Sequence, residues 1–166
     1  HQGRLSGSRM RHQAHSTTAN QVTIMQIRFL KKNPDAIVPQ YATAGASGLD
    51  LHARIPHDIY LQPGVRFTCP VGIGIELPEG FEAQVRGRSG MAKNHGVFAF
   101  VGTIDCDFRG EICAILINHG DQAFHIGPSQ RIAQLVIAPV VRVELVHDGE
   151  LSETERGEGG FGSTDK

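Results

Sequence analysis

The sequence predicts an all-β domain, a sandwich or a barrel. Three observations carry that expectation. Apolar and polar residues alternate in many short runs, turn residues separate those runs, and 20 Gly with 8 Pro among 166 residues favour turns over long helices. One domain of this length can bury a core without disulfide or metal staples.

Residues 1–24 open the chain with a polar stretch rich in His, Ser and Arg, and no acidic residue precedes Asp35. They are expected to be a disordered leader or an expression remnant. A basic, Ser-containing start also resembles an organelle transit peptide, although its apolar content is thin. The folded domain is expected over residues 25–147. Met25 to Leu30 alternates with period two, and Leu49 to Ile55 does so again. Val65 to Cys69, Val71 to Leu77 and Phe81 to Arg86 follow, parted by Gln62-Pro63-Gly64 and Leu77-Pro78-Glu79-Gly80. Around Ser89 to Asn94 a Ser-Gly turn leads into the only good helix candidate, with Ser89 expected as its cap. Glu111 to Asn118, Arg131 to Ile137 and Val140 to Val146 complete the expected strands. Residues 148–166 hold two large apolar side chains, Leu151 and Phe161, amid Gly, Ser, Thr and charge, which reads as a mobile arm.

Composition narrows the functional classes. Sixteen basic against 17 acidic residues give a net charge of −1, which argues against a surface that covers nucleic acid. No apolar run is long enough to cross a bilayer as a helix. Cys69, Cys106 and Cys113 lack metal-ligand or disulfide-framework spacing, so a reducing, cytosol-like compartment is the default. Nine His residues show no paired spacing for a catalytic metal, and no Gly-x-Ser-x-Gly elbow is present.

Four segments could carry chemistry. Arg156-Gly-Glu-Gly-Gly-Phe-Gly-Ser-Thr is plain flexible chain, or an arm whose arginine fork and converging N–H groups grip phosphate while Phe161 stacks on a base. It lacks the Gly-Lys-Ser/Thr ending of a Walker loop. Arg86-Gly-Arg-Ser-Gly-Met-Ala is a capped turn, or a helix start that attracts phosphate oxygens beside Arg88. Within Gly102-Thr-Ile-Asp-Cys-Asp-Phe-Arg-Gly-Glu, Asp105 and Asp107 are solvated edge carboxylates, or one of them faces a pocket. The segment is not an EF-hand, which needs further carboxylates. Asp50 interrupts an apolar alternating strand and therefore needs a partner, either an Arg or a hydrated cation.

Taken in order, these segments resemble the five motifs of the trimeric dUTP diphosphatases (dUTPases). The matching stretches begin at Ala44, Arg88, Gly102, Arg131 and Arg156: Ala-Gly-Ala-Ser-Gly-Leu-Asp-Leu-His-Ala, Arg-Ser-Gly-Met-Ala, Gly-Thr-Ile-Asp-Cys-Asp-Phe-Arg-Gly-Glu-Ile, Arg-Ile-Ala-Gln-Leu-Val-Ile and the Gly-rich end. The resemblance implies a distorted jelly-roll-like β-barrel with one short helix and a C-terminal arm. It further implies a homotrimer whose active sites lie at subunit boundaries and hydrolyse dUTP to dUMP and pyrophosphate. That activity limits uracil incorporation into DNA and supplies dUMP for dTMP synthesis. Asp105 would then activate the attacking water, and Asp50 would hold Mg²⁺ through its water shell. Ser89, Gly90 and Gln134, supported by Arg88, would hold phosphate oxygens. Gly102, Thr103 and Ile104 would contact the substrate, and Phe108 would sit beneath the deoxyribose. Arg156, Gly162, Ser163 and Thr164 would close on the terminal phosphate, with Phe161 over the uracil. No membrane or stable nucleic-acid partner is implied. The compartment would be cytoplasmic, or an organelle or the nucleus if the leader is native.

The sequence departs from the family pattern at several places, among them Asp165, where Gly is common after Ser163-Thr164. Phe108 stands for the usual Tyr, Gly87 for the common Pro, and Ala99-Phe100-Val101 where many members carry an Asn that reads the uracil edge. Two other readings compete: a non-catalytic dUTPase-like nucleotide-binding or regulatory module, and a dCTP deaminase of the same barrel type.

Overall fold

Nearly every apolar run of the sequence becomes a short antiparallel strand. The computed structural model describes residues 24–160. In chain order the elements are β1 (Arg28–Lys31), β2 (Gln40–Tyr41), β3 (Leu49–His52), β4 (Ile59–Leu61), β5 (Arg66–Pro70), β6 (Ile73–Glu76) and β7 (Phe81–Arg86). They continue with α1 (Ser89–His95), β8 (Val97–Ala99), β9 (Gly102–Ile104), β10 (Cys113–Asn118), β11 (Phe124–Ile126) and β12 (Arg131–Pro139). All pairings are antiparallel, in four small sheets ordered β1-β6, β5-β10-β8, β11-β4 and β2-β3-β12-β7-β9. This is the expected all-β barrel, distorted and jelly-roll-like, with one short helix.

Alternation sorts the side chains as period two requires. In β10, Ala114, Leu116 and Asn118 point inward while Ile115 stays half-exposed. Leu51, Ile73, Leu116, Ile126, Ile132 and Leu135 are fully buried in one apolar cluster shared by the sheets. The buried polar exception is Asn118. Its Nδ2 donates to the carbonyls of Leu61 and Gln122, both at 2.8 Å, and its Oδ1 accepts from the Gly120 N–H at 2.8 Å. Each of those main-chain groups would be stranded without it, at about 1–3 kcal/mol apiece. Asn118 thus ties β10 to β4 and fixes the following turn.

Two local details differ from the sequence reading. Arg88, not Ser89, is the N-cap of α1, with extended backbone and no side-chain cap bond; Ser89 is the first helical residue. The helix closes on Gly96 at φ +66°, a left-handed conformation that glycine adopts without cost. The other difference is the Val140–Val146 run. β12 continues through Pro139, the Val140 N–H donates to the Gly80 carbonyl at 2.8 Å, and no strand follows among the described residues. Val141, Val143 and Leu145 are 84%, 76% and 93% exposed, so this alternating segment has the pattern of a strand and no sheet in its own chain.

The three cysteines are free thiols. Burial pushes the Cys69 thiol up to about 12, so it stays protonated and acts as a packed apolar group. No helix among the described residues is long and apolar enough to cross a membrane.

Candidate active site

The central strand of the largest sheet organises the first group of predicted residues. β12 sets Gln134 opposite Asp50 of β3 on one side and opposite Arg86 of β7 on the other. Asp50 has the partners its burial demands. Its Oδ2 accepts from Arg131 Nη1 at 3.1 Å, and its Oδ1 lies 3.9 Å from Arg88 Nε. Arg88 in turn donates from Nη1 to the Arg131 carbonyl at 3.1 Å. Two guanidinium groups around one carboxylate leave this surface electropositive and suited to anions.

Gln134 works on the turn that feeds the helix. Its Nε2 donates to the Gly87 carbonyl at 2.9 Å, which fixes the approach of Arg88. Gly48 makes the space: a Cβ there would stand 2.6 Å from Gln134 Oε1 and displace the amide from Gly87. Beyond this turn, the Met91 and Ala92 N–H groups both reach the Arg88 carbonyl. The exposed Ser89 and Gly90 N–H groups lie outside the reach of any helical carbonyl and point out of the helix start. Asp50, Arg88 and Gln134 therefore gather in one cluster beside the helix start formed by Ser89 and Gly90.

Arg131 and His52 belong to the same cluster, and neither carries a role in the sequence reading. His52 is held below its ordinary value of 6.5, chiefly because burial disfavours its charged form and also because Arg131 and Arg88 are near; Asp50 opposes the shift. Its Nδ1 is buried without a hydrogen-bond partner. A depressed folded-state value means that the stability is complete above about pH 6.5 and is lost as acid protonates the unfolded chain first. Thermal unfolding followed from pH 7.5 down to 5 should show falling stability, and His52→Gln should flatten that slope. An unchanged slope in the variant would place the acid sensitivity elsewhere.

The second group lies apart. β9 pairs with the far side of β7, with Gly102 opposite Val85, Thr103 opposite Gln84 and Ile104 opposite Ala83. A turn follows, closed by the Phe108 N–H on the Asp105 carbonyl at 3.1 Å. Asp105 and Asp107 are both exposed there, rather than split between core and pocket. A cleft of about 180 Å³ is lined by Gly102, Thr103, Ile104, Asp105 and Phe108. The Phe108 ring rests against Gly110 and is 42% exposed, so it forms a wall of that cleft. Two of the departures from the family pattern, Gly87 and Ala99, also meet: a Cβ on Gly87 would approach the Ala99 N–H nitrogen to 3.2 Å. Cys106 packs partly against the core between the two acids.

Asp50 and Asp105 stand three strands apart in the sheet and four residues along it. At ~4.8 Å per strand and ~3.3 Å per residue, that is roughly 19 Å. A general base must come within hydrogen-bond reach of its proton. One chain therefore does not bring Asp105 to the cluster around Asp50. In the arm, Arg156 folds back, donating from Nε to the Gly159 carbonyl at 2.7 Å, and meets neither group. Phe161, Gly162, Ser163 and Thr164 lie outside the described residues.

Fold and site together define a β-barrel protein with an arginine-rich cluster around one carboxylate and a separate acidic cleft. The chain belongs to the dUTPase family, whose model matches residues 34–165. A deoxyuridine 5'-triphosphate nucleotidohydrolase of Beijerinckia indica is 57% identical over 131 residues, 76% of this chain and 82% of the relative. That of Nautilia profundicola is 48% identical over 144 residues, 86% of this chain and all of the relative. Among solved structures, a mutant dUTPase of Staphylococcus bacteriophage 80alpha with bound dUpNHpp shares the fold at a TM-score of 0.77. It is 22% identical and covers 84% of this chain and 98% of its own.

Proposed function

We propose that this protein hydrolyses dUTP to dUMP and pyrophosphate, as a homotrimer whose active sites combine residues of different copies. The observation that carries the reading is the extent of the family match, residues 34–165, which takes in all five candidate segments from Ala44 to Thr164. The roughly 19 Å between Asp50 and Asp105 supports the shared site, because the acidic cleft of one copy must meet the anion cluster of another. The exposed alternating run Val140–Val146 supports it too, as an edge that lacks a partner in its own chain.

Each side chain then has a definable task. Asp105 accepts a proton from water as the water oxygen bonds to the α-phosphorus and the bond from that phosphorus to the α,β-bridging oxygen breaks, the bridging oxygen leaving with pyrophosphate. Ser89, Gly90, Gln134 and Arg88 hold phosphate oxygens in line for that displacement. Gly102, Thr103 and Ile104 offer main-chain groups to the uracil, and Phe108 lies under the deoxyribose, where it excludes a 2′-hydroxyl. Arg156, Gly162, Ser163 and Thr164 close over the terminal phosphate, with Phe161 on the base. Asp50 fits a hydrated cation: Arg131 engages its Oδ2, while its Oδ1, 3.9 Å from Arg88, retains lone pairs for a water ligand. A single carboxylate is a donor set compatible with Mg²⁺, which takes most of its ligands from water and substrate phosphates. Such an ion would neutralise triphosphate charge.

Pyrophosphate release measured for each deoxynucleoside triphosphate tests the reading. Only dUTP is expected to be cleaved fast, and a chelator is expected to slow it. Ammonia released from dCTP would indicate a deaminase, and no turnover of any nucleotide a binding module.

A further inference from the structure

The pairing of β12 with β3 slips by one residue. Gln134 opposes Asp50 and Ala133 opposes Leu51, yet Arg131, not Ile132, opposes His52. An uninterrupted ladder would set Arg131 against Ala53, which is buried, and so turn the guanidinium toward the core. The bulge instead buries both Ile132 and Ala133 and rotates Arg131 onto the face of Asp50, His52 and Gln134. Opposed residues of antiparallel strands share a face, and bulges redirect side chains in this way.

Arg131 holds two members of the cluster at once. Its guanidinium takes Asp50 Oδ2 at 3.1 Å, and its carbonyl receives Arg88 Nη1 at 3.1 Å. The Asp50 side chain is only 18% exposed, so losing its close partner leaves a poorly solvated carboxylate facing Arg88. Without that partner Asp50 no longer has a fixed position from which to orient the Arg88 guanidinium toward a bound phosphate. We propose that Arg131 is a positioning residue of the phosphate-binding half-site: its ion pair with Asp50 holds the Arg88 guanidinium oriented for substrate, and it does so without any metal. The inference rests on the dUTP reading above.

The test is a double-mutant cycle on binding of an imido analogue of dUTP, measured by calorimetry in EDTA and again with Mg²⁺. In EDTA, Arg131→Gln and Asp50→Asn are each expected to weaken binding about tenfold, and the double variant no more than either, because both remove one ion pair. Losses that multiply to about a hundredfold would overturn the coupling. So would an Arg131→Gln protein that binds like the unaltered one, or an Asp50→Asn loss seen only with Mg²⁺. Should Arg131→Gln not fold, Arg131→Met carries the same comparison. Failure of the unaltered protein to bind the analogue even with Mg²⁺ would instead remove the dUTP reading itself.

Discussion

Asp105→Asn is expected to lower kcat by at least about 10²-fold while the protein still binds the imido analogue of dUTP within a few-fold of the original affinity. The amide keeps the size and hydrogen-bonding shape of the carboxylate but cannot take the proton of the attacking water. Asp105 is exposed in a turn, so the substitution strands no buried group and the fold should melt as before. Its carbonyl accepts the Phe108 N–H, a main-chain contact that the variant retains. Rapid-quench turnover beside equilibrium binding separates the two quantities. Undiminished turnover would assign the base to another group, with Asp107 the neighbour on the same turn.

Deleting residues from Gly157 onward should leave a folded trimer with greatly reduced turnover. The arm makes local turns and has no core contact as far as it is described: Leu151 is 91% exposed, and Arg156 bonds only within its own segment. Barrel stability therefore does not depend on it. Closure of the arm would exclude water and fix the triphosphate in line, effects that act on kcat as well as on KM. Sedimentation of the truncated chain is expected at three times the mass of one chain. A monomer would show the arm to be an assembly element instead.

Much of the barrel was legible because period-two alternation and turn chemistry are local properties. The runs from Leu49, Val65, Val71, Phe81, Glu111 and Arg131 all became strands, and the short helix formed in the expected place, over Ser89–His95. The candidate residues came from another kind of signal, side-chain types suited to phosphate in the order of the family's motifs, and of these the structure brings Asp50, Arg88 and Gln134 together. Val140–Val146 failed as a strand in its own chain because alternation specifies a two-faced extended segment and says nothing about which sheet receives it. The cap of α1 was missed because a Ser-Gly pair suits either the N-cap or the first turn, and the extended backbone of Arg88 decides between them.

By itself the sequence determined the all-β class, the order of the strands and the family motifs, because each is written in side-chain type and short spacing. Tertiary structure alone decided that Asp50 is held by Arg131 and Arg88, that Gly48 makes room for Gln134, and that Asp105 stands three strands away from Asp50 in the same sheet. The physical reason is that partners up to 81 residues apart are chosen by strand register. A single extra residue in β12 turns Arg131 from the core to the site, and no local pattern in the sequence records that slip.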